Sequence, residues 1–215
     1  MKATPDAVSA PGIDCPLCPR LVAFRDANRV AFPDWHNGPV PSFGSVGSRF
    51  LIVGLAPGLR GANRTGRPFT GDYAGDLLYG TLAKFGFSTG DYGKTADDGL
   101  ALIDCRVTNA VRCVPPENKP IGAEGKACRP FLVAELAEAK QVILALGGLA
   151  HGAVMTSLGL RKADFPFGHC NRHVLPDGRV LFDSYHCSRY NTNTGRLTTA
   201  MFEDVFAAIR TELSA

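Results

Sequence analysis

Phe50-Leu-Ile-Val-Gly-Leu55, stopped at once by Ala56-Pro57-Gly58, is the stretch that decides the fold. An unbroken apolar run this short, closed by turn residues, suits a strand covered on both faces, which is the position of a parallel strand between helices. Residues 103–111 read as a second strand running into Asn109, 142–146 as a third ending in Gly147-Gly148, and 180–182 as a fourth. Helical spacing fills the gaps: a helix after Cys18, then 76–87 with Leu77, Leu78, Leu82 and Phe85, then 130–139 and 149–158. A closing amphipathic helix over 198–213 carries Met201, Val205, Phe206 and Ile209 on one side. This alternation predicts an α/β fold with a largely parallel sheet covered on both faces. In such sheets the ligand crevice lies beyond the carboxyl ends of the strands. Three loops therefore draw interest: the one after Leu55, the one around Asn109 and the one after Phe182.

At 215 residues and 45% hydrophobic content the chain is long enough for one good core and short for two, so residues 13–215 are expected to form a single domain. Residues 1–12, small and polar with two prolines, read as a loose tail. No apolar run approaches a membrane span, and no basic segment leads into an apolar one at the N-terminus, so a cytosolic protein is expected. The net charge of +3 does not by itself predict a polyanionic partner. Its distribution says more: Arg60, Arg64 and Arg67 fall within eight residues without an intervening acid, and Arg189 and Arg196 bracket a polar segment. If both loops meet at one site, they are phosphate-gripping loops rather than solvated charges.

Seven cysteines in a cytosolic chain point to metal binding or free thiols rather than disulfides. Cys15 and Cys18 form a C-x-x-C flanked by Pro16 and Pro19, and Cys113, followed by Pro115-Pro116, and Cys128 supply a looser second pair. Four such thiolates suit either a tetrahedral Zn²⁺ or an iron–sulfur cubane; a redox pair or plain buried thiols is the competing reading. Cys105, Cys170 and Cys187 are left as non-ligands. His169, Cys170 and His173 are also close together but lack a fourth partner.

The loop after the first strand is rich in glycine yet has neither the Lys-Ser/Thr ending of a P-loop nor G-x-G-x-x-G, which disfavours a nucleoside triphosphate. Its motifs, with those of the other loops, resemble the uracil-DNA glycosylase superfamily, and most closely the iron–sulfur family 5. The resemblance rests on Gly54-Leu-Ala-Pro-Gly, Asn63-Arg-Thr-Gly-Arg-Pro-Phe-Thr-Gly-Asp72, Thr108-Asn-Ala-Val-Arg-Cys113, Pro115-Pro-Glu-Asn-Lys-Pro120, Cys128-Arg-Pro and Ser184-Tyr-His through to Thr198, from about Cys15 to Leu213. It implies a three-layer α/β/α sandwich with a short, mainly parallel central sheet, a [4Fe–4S] cluster on Cys15, Cys18, Cys113 and Cys128, and a monomeric enzyme that removes uracil and other deaminated bases from DNA.

Hydrolysing a base–sugar bond requires holding an extruded base, stabilising the departing anion and placing water at the sugar carbon. Asn109 suits the first task, because its amide offers both donor and acceptor to a pyrimidine edge. By resemblance Phe69 stacks on the base, with Ala56 beside it, and Asn191 supports the base or the histidine. His186 suits the second task as a hydrogen-bond donor to the carbonyl oxygen. Asp72 suits the third; Asp76 is its rival, but an acid in the first turn of a helix has a structural explanation in the helix dipole. Arg60, Arg64, Arg67, Ser188, Arg189, Tyr190 and Arg196 are assigned to DNA, Ser188 to a phosphate and Arg189 or Tyr190 to the duplex gap. The loops after Leu55 and Phe182 and the Thr108–Cys113 segment contain no lysine that could form a Schiff base, so a monofunctional glycosylase is expected. Cys187 departs from the residues usual after this histidine. The alternative is an iron–sulfur protein that binds damaged or single-stranded DNA without cutting the bond, in which Asp72 and His186 are dispensable.

Overall fold

The computed structural model describes residues 10–214, so most of the expected N-terminal tail, residues 1–9, lies outside the described residues. In chain order the elements are α1 (Pro19–Ala31), β1 (Phe50–Gly54), α2 (Ala62–Thr65), α3 (Tyr73–Lys84), β2 (Ser88–Thr89), β3 (Ala101–Leu102) and β4 (Cys105–Asn109). Then follow α4 (Gly122–Glu138), β5 (Val142–Leu146), α5 (Gly148–Ser157), β6 (Arg172–Val174), β7 (Val180–Ser184), α6 (Arg189–Asn193) and α7 (Thr199–Ser214).

The central sheet has the order β4-β1-β5-β7-β6, parallel throughout except for the antiparallel edge strand β6. The two-residue period of a strand sorts its side chains into the two outer layers. Phe50 and Ile52 of β1, with Val142, Leu144 and Leu146 of β5 and Val180 and Phe182 of β7, meet Leu78 and Leu82 of α3 and Phe202, Val205, Phe206 and Ile209 of α7. Leu51 and Val53, with Ile143, Ala145 and Leu181, meet Leu132 and Leu136 of α4 and Val154 and Met155 of α5. Every residue of β1, β5 and β7 is buried, as the unbroken apolar runs require. Each large apolar side chain so buried contributes about 1.5–3 kcal/mol, and together they hold the expected three-layer α/β/α sandwich.

The differences from the sequence reading lie at element ends and in the short elements α2, β2, β3, β6 and α6, which the sequence reading did not include. The helix expected from residue 76 begins at Tyr73, because Asp72 caps it by accepting a hydrogen bond from the Gly75 amide at 3.4 Å. The helix expected from residue 130 begins eight residues earlier, at Gly122, and carries Pro130 in its interior. There the Glu124 carboxylate accepts the Ile121 amide at 2.9 Å and closes the first turn. Strand β6, only three residues and polar, left no periodic signal.

The register places Gly54 of β1 opposite Asn109 of β4. Ser184, the last residue of β7, lies opposite Leu146 of β5. The carboxyl ends of β1, β4 and β7 are thus presented on one edge of the sheet. Among the described residues, no helix is long and apolar enough to cross a membrane.

Candidate active site

A cleft of about 790 Å³ opens at that edge. Ala56, Phe69, Asp72, Asn109 and His186 line it, with Arg60, Ser188 and Arg189 at its rim. The three loops singled out in the sequence therefore converge. Gly54 is what allows the floor to close: a Cβ there would collide with both the Asn109 carboxamide and the Phe69 ring. Asn109 is 3% exposed, yet its Oδ1 has no hydrogen-bond partner among the described residues. An unpaired buried acceptor costs free energy on the order of 1–3 kcal/mol, which a ligand donor at that point would recover.

Phe69 sits at φ 52°, a left-handed conformation that costs a side-chain-bearing residue roughly 1–3 kcal/mol. The strain turns its ring toward His186, with the ring centres 5.9 Å apart and the planes inclined by 29°. The Phe69 ring and the Asn109 carboxamide both approach the point where a Gly54 Cβ would stand, so the two are neighbours on the cleft floor. Burial holds the His186 imidazole below the ordinary histidine pKa, against the opposing pull of the Asp72 charge, so the ring is neutral at neutral pH. A neutral imidazole can still donate one hydrogen bond. Asp72 lies over the Gly58–Gly61 turn, and a Cβ on Gly61 would overlap its carboxylate. Asp76 is exposed, ion-paired to Lys94 at 2.8 Å and does not line the cleft.

The remaining sequence candidates divide. Arg60, Arg64, Arg189, Tyr190 and Arg196 are exposed. The Arg189 guanidinium lies 5.5 Å from the Tyr73 ring centre and that of Arg196 4.6 Å from the Tyr185 ring centre. Ser188 caps α6, accepting from the Asn191 amide at 3.4 Å. Asn191 turns away from the cleft and donates to the His186 carbonyl at 2.8 Å, so it supports the histidine backbone rather than lining the cleft. Arg67 is a correction: its side chain is 4% exposed, forked onto Asp98 at 2.6 and 2.7 Å and surrounded by Phe43, Tyr79 and Tyr92. A guanidinium so enclosed is not free for a phosphate. Cys187 is fully buried in the core as a small apolar side chain, and burial pushes its thiol pKa up.

Tyr73 and Asn118 also line the cleft, although sequence reasoning assigned them no role. Asn118 could have been found, since it closes the Pro-Pro-Glu-Asn motif. Its φ of 57° and that of Glu117, 55°, are the backbone cost of that tight turn.

Below the cleft, Cys15, Cys18, Cys113 and Cys128 line one small pocket whose other walls are mostly apolar, including Leu17, Leu21, Val22 and Phe131. The Arg112 amide donates to Cys128 Sγ at 3.4 Å. The Arg25 guanidinium holds the Cys15 carbonyl at 3.0 Å, and Arg20 ties α1 to the buried Glu124 of α4 at 2.7 Å. Burial pushes the Cys18 and Cys128 thiols up and Cys113 up to about 12, so without a cation these three would be neutral thiols. Among the described residues no three side chains converge tightly enough for a single metal ion. Four cysteines around one pocket match the donor types of a four-iron cluster, which takes one thiolate at each iron. Ala56 lines the cleft on one side and packs against the Leu21–Val111–Cys128 group on the other.

A mainly parallel sheet whose strand ends bring an aromatic ring, an amide with an open acceptor, a neutral imidazole and a carboxylate around one cleft defines an α/β protein whose crevice lies beyond the carboxyl ends of its strands. Comparison with known proteins narrows the class. The family model described as the uracil DNA glycosylase superfamily matches residues 41–210, and the chain belongs to that superfamily, in its type-5 branch. It is 47% identical over 199 residues to the type-5 uracil-DNA glycosylase of Thermus thermophilus, covering 89% of this chain and 90% of the relative. The type-5 enzyme of Mycobacterium leprae is 44% identical over 202 residues, covering 89% and 88%. A type-4 uracil-DNA glycosylase of Pyrobaculum aerophilum is 32% identical over 140 residues, 64% of each chain.

Proposed function

We propose that this chain is a monofunctional glycosylase that hydrolyses the bond between uracil and deoxyribose in DNA, and that its cleft also admits other deaminated bases such as hypoxanthine. The observation that carries the reading is the buried, partnerless Asn109 Oδ1 beside the Phe69 ring, with His186 and Asp72 in the same cleft. An extruded uracil stacks on Phe69 and gives its N3–H to Asn109 Oδ1. As the base leaves, negative charge grows on its carbonyl oxygen, and the neutral His186 imidazole stabilises it by donating a hydrogen bond. Asp72 orients water toward the sugar carbon and favours the positive charge developing there. Arg60, Arg64, Arg189 and Arg196 hold the phosphates on either side, and Tyr190, 72% exposed, stands where it can enter the gap left in the duplex. The volume of the cleft, larger than a pyrimidine occupies, supports the wider base range.

Cys15, Cys18, Cys113 and Cys128 would hold a [4Fe–4S] cluster, which supplies a structural tie and takes no part in the hydrolysis. Cys113 follows Asn109 by four residues, so the tie fixes the strand end that carries the base-reading amide.

Incubation with a uracil-containing duplex, followed by alkali to cut abasic sites, tests the reading beside Asp72→Asn and His186→Ala. Product that requires alkali and weakens in both variants supports it. Asp72 also caps α3, which gives it a purely structural use and is the one observation favouring damage binding without hydrolysis. Intact DNA binding with no product from uracil or hypoxanthine would establish that second reading.

A further inference from the structure

The segment between β2 and β3 folds back against the cleft loop, and nothing in the reaction above uses it. Its organiser is Asp98. One carboxylate oxygen accepts the Gly93 amide at 2.8 Å and the other the Leu100 amide at 3.0 Å, while the pair together grips the Arg67 guanidinium. Arg67 Nε in turn donates to Thr70 Oγ1 at 2.8 Å. Tyr92 is carried to the loop by this brace. Its ring lies 4.7 Å from that of Tyr79, whose hydroxyl donates to the Pro68 carbonyl at 2.6 Å. The Tyr92 hydroxyl accepts the Gly71 amide at 3.1 Å and donates to the Phe69 carbonyl at 3.2 Å. It thereby bridges the residues on either side of Thr70, immediately before Asp72.

We propose that Tyr92 is a positioning residue: its hydroxyl clamps the backbone of Phe69 and Gly71, holding the strained base platform and the Asp72 carboxylate in one fixed relation. The proposal rests on the glycosylase reading for what the clamp serves, though not for the clamp itself. Phe69 is held at φ 52° and Gly71 at φ 91°. A conformation that costly persists only where its surroundings fix it, and the Tyr92 hydroxyl is bonded to both peptide groups concerned. Burial raises the Tyr92 pKa, so the hydroxyl keeps the proton that it donates to Phe69. A phenylalanine at 92 would keep the ring packing and lose only the two hydrogen bonds.

Tyr92→Phe in the full chain separates these effects through two readouts. The first is hydrogen exchange of the Gly71 amide by NMR, which needs no substrate: exchange about tenfold faster in the variant, with core amides of β1 and β5 unchanged, is expected. The second is single-turnover excision from a uracil duplex: a rate about tenfold lower, with DNA affinity within about twofold and the melting temperature within a few degrees, is expected. Positioning also predicts that combining Tyr92→Phe with Phe69→Leu costs clearly less than the product of the two single losses, because the second change removes the platform that the clamp serves. Gly71 exchange equal to wild type overturns the clamp. A lower rate matched by an equal loss of affinity or of folded protein overturns positioning in favour of plain structural support. A wild-type protein without excision would sink the glycosylase reading, and the exchange measurement would then decide the clamp by itself.

Discussion

The base cleft and the thiol pocket are a few residues apart along the chain, joined through 109–113, and are built on opposite principles. At the cleft the protein leaves groups unfinished: Asn109 Oδ1 has no partner, and Phe69 is held in a left-handed conformation. At the thiol pocket the rim is finished, with Arg20 on Glu124 and Arg25 on the Cys15 carbonyl, while burial keeps the Cys18, Cys113 and Cys128 thiols at its centre neutral. Open hydrogen-bonding groups suit a ligand that comes and goes. Partly buried thiols around a mostly apolar space suit a permanent cation, whose charge would turn them into thiolates and whose bonds would then belong to the fold. The first region should therefore lose activity without stability when altered, and the second stability before activity.

The largest effect is expected at the thiols. Cys128→Ser removes one of the four proposed cluster ligands from the pocket between α1, α4 and the loop after β4, and should cost on the order of 5 kcal/mol or more. Thermal melting combined with visible absorbance of the purified protein checks this, and excision should fall in step with the folded fraction. A variant that melts like wild type yet does not act would break the contrast and assign the pocket a part in reading DNA. Next come the cleft variants. Asp72→Asn keeps a good helix cap, so its melting temperature should stay within a few degrees while excision falls about 10²- to 10³-fold. His186→Ala should lose a similar amount, as removal of a preorganised donor does. A large fall in stability in either would mean that these residues belong to the scaffold.

Arg67 sharpens the contrast because it lies in a cleft loop and behaves like scaffold. Arg67→Met leaves Asp98 charged and nearly buried, at a cost of about 3 kcal/mol. Arg67 holds the Asp98 carboxyl well below its ordinary 3.8, at about 2. Stability from a lowered carboxyl pKa is fully present above the ordinary value and is lost as pH falls through the folded one. The gap between wild type and Arg67→Met should therefore close between pH 4 and about 2 in urea titrations. A gap independent of pH over that window would mean that lost packing against Phe43, Tyr79 and Tyr92, rather than the ion pair, carries the cost.

Arg67 also marks where sequence reasoning stopped. The sheet was legible chiefly because β1 and β5 are unbroken apolar runs with sharp ends, and the cleft because its loops follow strands. The family resemblance singled out residues such as Phe69 and Asp72, and topology put their loop in one place with those of Asn109 and His186 before any distance was known. Arg67 could not be separated from Arg60 and Arg64, because its partner, Asp98, lies 31 residues away in a polar stretch without periodicity. Tyr73 and Asn118 were hidden for a related reason: one reads as the start of a helix and the other as a turn, and only the fold shows that both face the cleft. Local pattern reports which side chains must be buried; it does not report which long-range partner occupies a charge.

The smallest expected effect tests that same division among arginines. Each phosphate contact releases bound counterions, so losing one lowers the slope of log affinity against log salt by about one. Arg60→Ala and Arg189→Ala should each do this, amounting to about a three- to fourfold change in relative affinity between 50 and 200 mM salt. Both side chains are exposed at the cleft rim, on the loops that follow β1 and β7. Arg67→Met, whatever it does to stability, should leave the slope of the folded protein unchanged, because its guanidinium is already neutralised by Asp98. Fluorescence anisotropy of a labelled abasic duplex across that salt range measures all three. A slope lowered by Arg67→Met but not by Arg60→Ala would mean that the Asp98 pair opens on DNA, and the loop would then be a moving part rather than a fixed one.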